Sequence, residues 1–500
     1  MAYSRPGVYI SERLLVAPLA AGVTANAAGA VVAPFAQGPE AVTLVSSWYE
    51  FTKNFGGYNA SYPATFQVGA FFANGGRELY VKRLLSFDAD AASTELLTSG
   101  DATVALITSK NAGTDGNNLR VVLSAGSVSG TYTITLYKEA GQSGIIADDI
   151  LLERYENVVF DDNTSSDYAE TVINLVSPNI TVSNSAGGTP VAATYPLAGG
   201  SNGTAVAEVD YTNYKDGDNS VFEDFTALDR PLVIFLPGIA TLFEGSSDIY
   251  DAATGWAEAN NGFVIAETYA DATVSNAVSY AGSLTDTSNA AVYYPLLFIA
   301  DPLGRGAGAL RKIGPSGSVA GLYLSTDASR GVFKSPAGIG STIQGVVAVE
   351  KTFTSTELDT MNASTSPVNP IRQIPGAGLA VMGARTLKQD GTANKYVNMR
   401  RSLIHIRKNL KNLTEFAIFE NNDERLWAQL RNNITVFLNE YRNQGGLRGA
   451  TPAAAFFVKC DAENNTAQAI ANGEVHIQVG VALQYPAEFI VIDLSQKTLN

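Results

Sequence analysis

Two glycine-rich strings, two histidines and two aspartate pairs are the residues in this 500-residue chain whose types and spacing could do chemistry. Gly199–Gly203 reads G-x-S-x-G, the string of a nucleophile elbow. That elbow needs a strand before it and a helix after it. Here Pro196 precedes it and no strong helical pattern follows, so the string reads as a flexible turn between domains. Gly304–Ala309 reads G-x-G-x-x-A after an apolar run, and Asp327 stands about where a ribose-binding acid would. The helix that should receive the pyrophosphate is broken at Gly314-Pro315. A dinucleotide-dependent enzyme is therefore the alternative reading, not the leading one. His405 and His476 have no partner spaced for zinc or for a nucleophile–base pair, and His405 reads as polar surface. There is no G-x-x-x-x-G-K-[ST] phosphate loop. Asp148-Asp149 and Asp161-Asp162 read as solvated loop acids, with Ca²⁺ binding as the alternative. No catalytic residue, metal or cofactor is assigned.

The elements that would position such groups change character along the chain. Residues 1–20 read as an extended N-terminal arm, and 21–87 as the first part of a core. In that part Val31-Val32, Leu44-Val45 and 79–84 are strand signals, and 47–55 and 66–72 are helical. The uncharged stretch 14–38 is interrupted by Pro18, Asn26 and Pro34 and reads as a loop plus a buried strand. Residues 88–204 carry short β-type runs at 104–107, 119–123, 132–137 and 180–182 between Gly, Asn, Asp and Ser clusters, which predicts an inserted β-rich domain. Residues 205–370 alternate strands (232–236, 263–266, 292–300) with helices (248–260, 271–284), the pattern of an α/β domain. Residues 371–487 form a C-terminal domain with an apolar run at 378–382 and two long helices, 396–413 and 423–441. Strands are expected there at 416–419, 454–458 and 474–481. Residues 488–500 read as a C-terminal arm. The fold class is α+β to α/β, multidomain.

Composition points toward assembly. Charged residues make up 16% of the chain, against about 25% in an ordinary soluble protein. A charge-poor surface suits a protein partly covered by neighbours, because interface cores are depleted in charge. The net charge of −15 argues against a large nucleic-acid footprint. One cysteine, Cys460, cannot form an intramolecular disulfide. With neither a signal-peptide core nor a membrane span, folding in a cytoplasm without membrane insertion is expected.

A series of segments, in order along nearly the whole chain, resembles the contractile tail sheath family. They are Arg5–Ile10, Phe55–Gly57, Ala70–Gly76 leading into Leu79–Arg83, Leu197–Gly203, Tyr293–Pro295, Pro315–Gly321, Asp327–Gly331, Lys334–Gly338, Asn369–Arg372 and Gly383–Leu387. Tyr396–Leu403, Phe419–Asn422 with Leu426-Trp427, Phe456–Val458 with Cys460-Asp461, and Pro486–Phe489 continue the series. Cover is weakest over 88–196. Leu296 stands where a tryptophan is expected after Tyr-Tyr-Pro. The resemblance implies a structural subunit, not an enzyme. Its expected partners are further copies of itself in a helical stack of hexameric rings, an inner tail tube, and baseplate and tail terminator proteins. It implies a place in a virion tail, assembled in a bacterial host's cytoplasm, with contraction driving the tube through a cell envelope. A phage, bacteriocin or injection-system origin stays open, and a β-rich surface adhesin is the remaining alternative.

Two sets of residues are expected to carry such a role. Val8, Tyr9 and Ile10 in the N-terminal arm, and Glu488, Phe489, Ile490, Val491 and Ile492 in the C-terminal arm, are apolar strand-formers at opposite chain ends. Unpaired, such strands are aggregation hazards; donated to a neighbour's sheet, they give directional main-chain pairing. Pairing within their own chain is the alternative. In 396–413, Arg400, Arg401, Arg407, Lys408 and Lys411 occur without a single acid. At about 100° per residue the five span roughly a third of the helix circumference. This basic face is expected to look inward onto an acidic tube; a solvated face beside the chain's own acids is the bland reading.

Overall fold

The computed structural model describes residues 26–139, 149–184, 188–214, 219–306, 308–388, 390 and 392–488. They divide into two compact units, 27–401 with 485–488, and 402–484. No helix among them is long and apolar enough to cross a membrane.

The first unit begins with β1 (Ala28–Ala33), β2 (Thr43–Val45), α1 (Trp48–Phe55), α2 (Ala64–Ala73) and β3 (Leu79–Arg83). β1 reads Ala-Gly-Ala-Val-Val-Ala and is buried at every position. That is expected of a strand with parallel neighbours on both sides and both faces covered. α1 starts where the Ser47 hydroxyl accepts from the Glu50 N–H and stops at Gly56, whose φ is +92°.

Residues 91–197 then build two sheets over a core of their own. β4 (Ala91–Leu97), β5 (Thr103–Ala112), β6 (Leu119–Ala125), β7 (Tyr132–Lys138) and β8 (Ile150–Val158) precede α3 (Ala169–Val176). β9 (Ile180–Asn184) and β10 (Thr194–Pro196) complete them. The orders are β4-β5-β9 and β10-β6-β7-β8, all antiparallel. Leu96, Ile107, Val121, Ile134, Phe160, Ile173 and Val182 pack between them. Sequence reading missed β4, β8, α3 and β10: polar residues interrupt β4 and α3, β8 turns polar from Glu153, and β10 is three residues long.

The chain next returns to the large sheet through α4 (Glu208–Thr212), β11 (Leu232–Phe235), α5 (Ile239–Leu242), α6 (Asp248–Ala259), β12 (Gly262–Glu267), α7 (Val274–Ser283) and β13 (Ala290–Tyr294). It continues with β14 (Leu297–Ala300), β15 (Leu310–Ile313), α8 (Ser316–Arg330), β16 (Val346–Val349), α9 (Ser355–Ala363), β17 (Val368–Ile374) and β18 (Gly378–Val381). The eight-stranded order is β18-β17-β13-β12-β11-β1-β3-β2. Its six central strands are parallel and its two outer pairs antiparallel. Two differences from the sequence reading have local causes. The run 292–300 is two strands, because Pro295 has no N–H to continue a ladder; β14 leaves for a separate sheet, β15-β14-β16. The expected boundary at 371 falls inside the large sheet, since β17 pairs with β13 and the first unit runs to Arg401.

Helices cover both faces of that sheet. Ala30, Val32, Ile234, Val264 and Val292 face a core shared with Tyr211, Tyr250, Trp256, Tyr280 and Met361 from α4, α6, α7 and α9. On the other face Phe235 stacks on Phe71 of α2 and Phe263 contacts Tyr323 of α8. α2 and α8 cross at backbone contact. A Cβ at Gly317 would lie 2.3 Å from the Gln67 carbonyl oxygen, and one at Gly321 would lie 2.3 Å from that of Phe71.

The second unit comprises most of α10 (Val397–Thr414), then α11 (Glu424–Asn443), α12 (Pro452–Ala455), β19 (Phe456–Lys459), α13 (Ala467–Ala471) and β20 (Gln478–Val481). α11 is capped by the Asp423 carboxylate, which accepts from the N–H groups of Arg425 and Leu426. Its Leu426, Leu430, Ile434, Leu438 and Tyr441 are buried at helical spacing. The expected strand 416–419 is instead a 3-10 turn (Glu415–Ala417) followed by Ile418 and by Phe419 at φ +68°.

In an exposed helix Gly→Ala stabilises by up to about 1 kcal/mol. At Gly321 the sign reverses, because the new methyl meets backbone. Gly321→Ala should destabilise the chain by ~1–3 kcal/mol in urea or thermal unfolding. A rise in stability would disprove the close crossing.

Candidate assembly site

The carboxyl ends of the parallel strands are where α/β sheets usually hold ligands. In this chain one of its own carboxylates fills that place. Glu267, at the end of β12, is fully buried. It accepts from the Gly238 N–H (2.6 Å), the Ser316 N–H (3.1 Å) and Gln67 Nε2 (3.1 Å). Gln67 Oε1 in turn accepts from the Ser316 hydroxyl and the Gly317 N–H. The free N–H groups at the start of α8 are thus used internally, as a helix N-terminus prefers. Burial raises the Glu267 pKa, against the lowering effect of these bonds. A Cβ on Gly314 would lie 2.0 Å from its Oε2, so the space is packed shut.

The motif strings resolve the same way. Gly304–Ala309 lies in the loop of an antiparallel hairpin between β14 and β15, not in a strand-to-helix turn, and Asp327 is committed to a buried ion pair. This contradicts the dinucleotide reading. Gly199–Gly203 is not a loose turn. Ser201 bridges to Asp90, and the Gly200 N–H donates to Asn117. Asn202 Oδ1 accepts from Arg83 (3.3 Å) and from the Thr114 N–H (3.1 Å). Arg83, fully buried at the end of β3, also donates to the carbonyls of Phe35, Gly38 and Ala112 at 2.9–3.1 Å. Burial lowers its pKa. This guanidinium ties the large sheet to residues 91–203, a role that no motif announces.

Asp149 pairs with Arg120, and Asp162 caps the turn at Thr164 (2.9 Å); Asp148 lies outside the described residues. Among the described residues no group of three or more His, Cys, Asp or Glu is arranged to hold a metal ion. His405, expected as polar surface, is half-buried and stacked on Tyr441 with centroids 5.6 Å apart.

The five bases of α10 do not share one surface. Arg401 is buried and forks onto Asp327 (2.9 and 2.5 Å), with its Cζ 4.8 Å from the Tyr323 ring centroid. Burial works against the Arg401 charge, but Asp327, Tyr323 and Tyr293 hold its pKa above the ordinary value. Lys408 is also buried, and Arg400 is half-buried, donating to Asn289 (3.0 Å). Only Arg407 and Lys411 are exposed. Helical angle explains the split. At about 100° per residue, Arg401 and Lys408 lie roughly 80–100° from Arg400, while Arg407 and Lys411 lie within about 20° of it. The expected five-base face is therefore corrected to Arg407 and Lys411.

Sheet edges supply the other candidate. β19 and β20 make a two-stranded antiparallel sheet, Phe456↔Val481 to Lys459↔Gln478. No further strand flanks either of them among the described residues. The Phe457 ring lies across Gly480, where a Cβ would come within 2.1 Å of it. Exposed apolar groups also cluster in the same unit at Phe416, Ile418 and Phe419, the last of these fully exposed. The expected arm residues Val8, Tyr9, Ile10, Phe489, Ile490, Val491 and Ile492 lie outside the described residues. Glu488 is described and is not in a strand. It is bonded to Arg385 of its own chain, which corrects its placement in the arm strand.

Residues 389–497, which contain this sheet and α10, match the family model described as the phage tail sheath C-terminal domain. That stretch is similar to a sheath domain. Tail sheath proteins of Vibrio phage KVP40 and Salmonella phage ViI are 26% identical over 179 residues and 22% identical over 187 residues. Those matches cover 36% and 37% of this chain and only 26% and 28% of the two relatives. Among solved structures, the sheath complex of an extracellular contractile injection system in its contracted state aligns over 99% of both chains, at 21% identity and TM-score 0.56. A sheath tail protein from Listeria innocua aligns over 93% of this chain and 97% of its own, at 12% identity and TM-score 0.60. At these identities the structures show a shared fold.

Removing one partner of a buried ion pair strands the other. Asp327→Ala should therefore cost ~3–5 kcal/mol, whereas Asp327→Ala combined with Arg401→Met should recover most of it. Equal losses in the single and double variants, read by urea unfolding, would show that the pair is not the source.

Proposed function

We propose that this chain is the structural subunit of a contractile sheath, assembling by donating its terminal strands to neighbouring copies. Support comes chiefly from one juxtaposition. The unit matching the sheath C-terminal domain carries a sheet of two strands that no third strand flanks among the described residues, and apolar strand-formers occur in the sequence around Val8–Ile10 and Phe489–Ile492. A sheet of only two strands presents edges to which further strands can be added. Head-to-tail donation that does not close on itself generates a helix of subunits. Stacked hexameric rings around an inner tube, with contraction driving that tube through an envelope, follow from the family likeness. So do a tail tube, a baseplate and a terminator protein as partners, and a virion or an injection particle as the location.

Within that assembly, residues 88–204 act as an outer insertion, supported by their separate core and by the Arg83 and Ser201 contacts at their base. The inward basic contact reduces to Arg407 and Lys411. Such rim charges are screened over about 8 Å at physiological salt, so the contact can hold an extended state and release in contraction.

Deleting 1–14 or 489–500 should leave a folded monomer, with unchanged circular dichroism, that no longer forms tubes in negative stain. Normal tubes from both truncations would overturn strand donation. Reversing Arg407 and Lys411 to Glu should weaken tube-templated assembly at low salt and leave spontaneous polymerisation intact. Unchanged co-assembly with a tube protein would remove the inward contact.

A further inference from the structure

The last described residues change allegiance within one step of the chain. Leu483 bridges Leu447, and Gln484 Nε2 donates to the Leu447 carbonyl (3.1 Å), both inside the 402–484 unit. Residues 485–488 belong to the α/β unit. There the Tyr485 ring meets Tyr396 edge-on, with centroids 6.3 Å apart. Glu488 is gripped by Arg385 through two parallel bonds, Nε to Oε1 (2.8 Å) and Nη2 to Oε2 (2.7 Å). The Tyr396 hydroxyl donates to the same carboxylate (3.3 Å).

Arg385 is itself a fixed post. Its N–H donates to Asn369 Oδ1 (2.8 Å), and Asn369 Nδ2 returns bonds to the Arg385 carbonyl (2.8 Å) and to the Val292 carbonyl (3.0 Å). Its Nη1 donates to the Asn362 carbonyl (2.8 Å), and its backbone bridges Tyr396. Asn369 of β17, itself tied to β13, thus holds the Arg385 backbone, and α9 holds the guanidinium, independently of Glu488. The two side chains are 14% and 23% exposed, drier than an ordinary surface pair. Planar forked recognition of this kind fixes direction as well as distance.

We propose that Arg385 and Glu488 form a clasp that positions the root of the C-terminal strand on the α/β unit. The strand then departs from that unit and not from the 402–484 unit that precedes it in sequence. This rests on strand donation as the mode of assembly. Its consequence is that the arm's origin moves with the large sheet. A donated strand linked to a neighbour therefore couples the neighbour to this α/β body. Glu488 acts through position and does not itself enter the donated strand. The arm's apolar run begins one residue later, at Phe489.

The test uses the full chain carrying Arg385→Glu, Glu488→Arg, or both, beside a chain lacking 489–500. Chymotryptic cleavage after Phe489 in the monomer, followed by mass spectrometry, reads whether the root is held. Both single variants should be cut on the order of tenfold faster than the parent, and the charge-swapped double variant should return to within about threefold of it. The concentration needed for tube formation should rise in the single variants and fall back in the double. Single variants that match the parent in both cleavage and assembly, or a double as impaired as the singles, would overturn the clasp. If the chain lacking 489–500 still forms normal tubes, C-terminal strand donation fails whatever the clasp variants do. If that chain fails to assemble while the single variants match the parent, only the clasp is wrong.

Discussion

An open edge on a two-stranded sheet is the constraint on which the rest of this molecule depends. β19 and β20 leave outward-facing main-chain donors and acceptors with no strand beside them among the described residues. Each such group is satisfied by water or by another chain, and a net main-chain bond contributes about 0.5–1.5 kcal/mol. If strands are donated as proposed, one of several residues would supply a few kcal/mol per contact, repeated at every subunit of the polymer. The large sheet is guarded by comparison. At one edge the loop after α8 lies along β18, with Gly338 and Ile343 N–H groups donating to the Val381 and Leu379 carbonyls. At the other edge β2 is only three residues long. Edges left open where neighbours are needed and closed elsewhere are what a polymer-forming subunit requires.

The α/β unit has the construction of a rigid body. Helix α8 meets α2 at backbone contact through Gly317 and Gly321, Glu267 fills the crevice that an enzyme of this architecture would keep for substrate, and two buried guanidiniums tie segments distant in sequence. Arg83 is satisfied mainly by carbonyl oxygens, which anchor without a second buried charge. Arg401 is satisfied by a carboxylate and an aromatic face, the stronger arrangement for a helix root. A body so fastened is compatible with the proposed role as a sheath subunit.

The sequence was legible where local chemistry and tertiary context agree. The parallel strands at 28–33, 232–235 and 263–266 are unbroken apolar runs, and α1, α6, α10 and α11 show helical periodicity, with side-chain caps at α1 and α11. Reading failed where context decided. Gly314-Pro315 looked like a helix break and is the lead-in to α8, since proline is tolerated in a first turn. Phe416–Phe419 looked like a strand because its apolar residues, exposed in the monomer, mimic a buried run. The bases of α10 looked like one face because spacing reports angle and not which angle is covered. Arg83, Glu267 and Arg385 were invisible for a related reason. Their partners are carbonyls, amides or acids tens to hundreds of residues away, brought close only by the fold. The family likeness was legible because it rests on ordered segments spread along the chain, none of which is informative alone.

Strand donation is most directly tested by tracing the main chain in cryo-electron microscopy maps of tubes grown from the purified protein. Donation predicts that β19 and β20 are flanked by extended segments near Val8–Ile10 and Phe489–Ile492 whose connecting density leads to neighbouring subunits. Flanking strands that trace back to the same chain, or a β19–β20 sheet that stays two-stranded in the polymer, would contradict it.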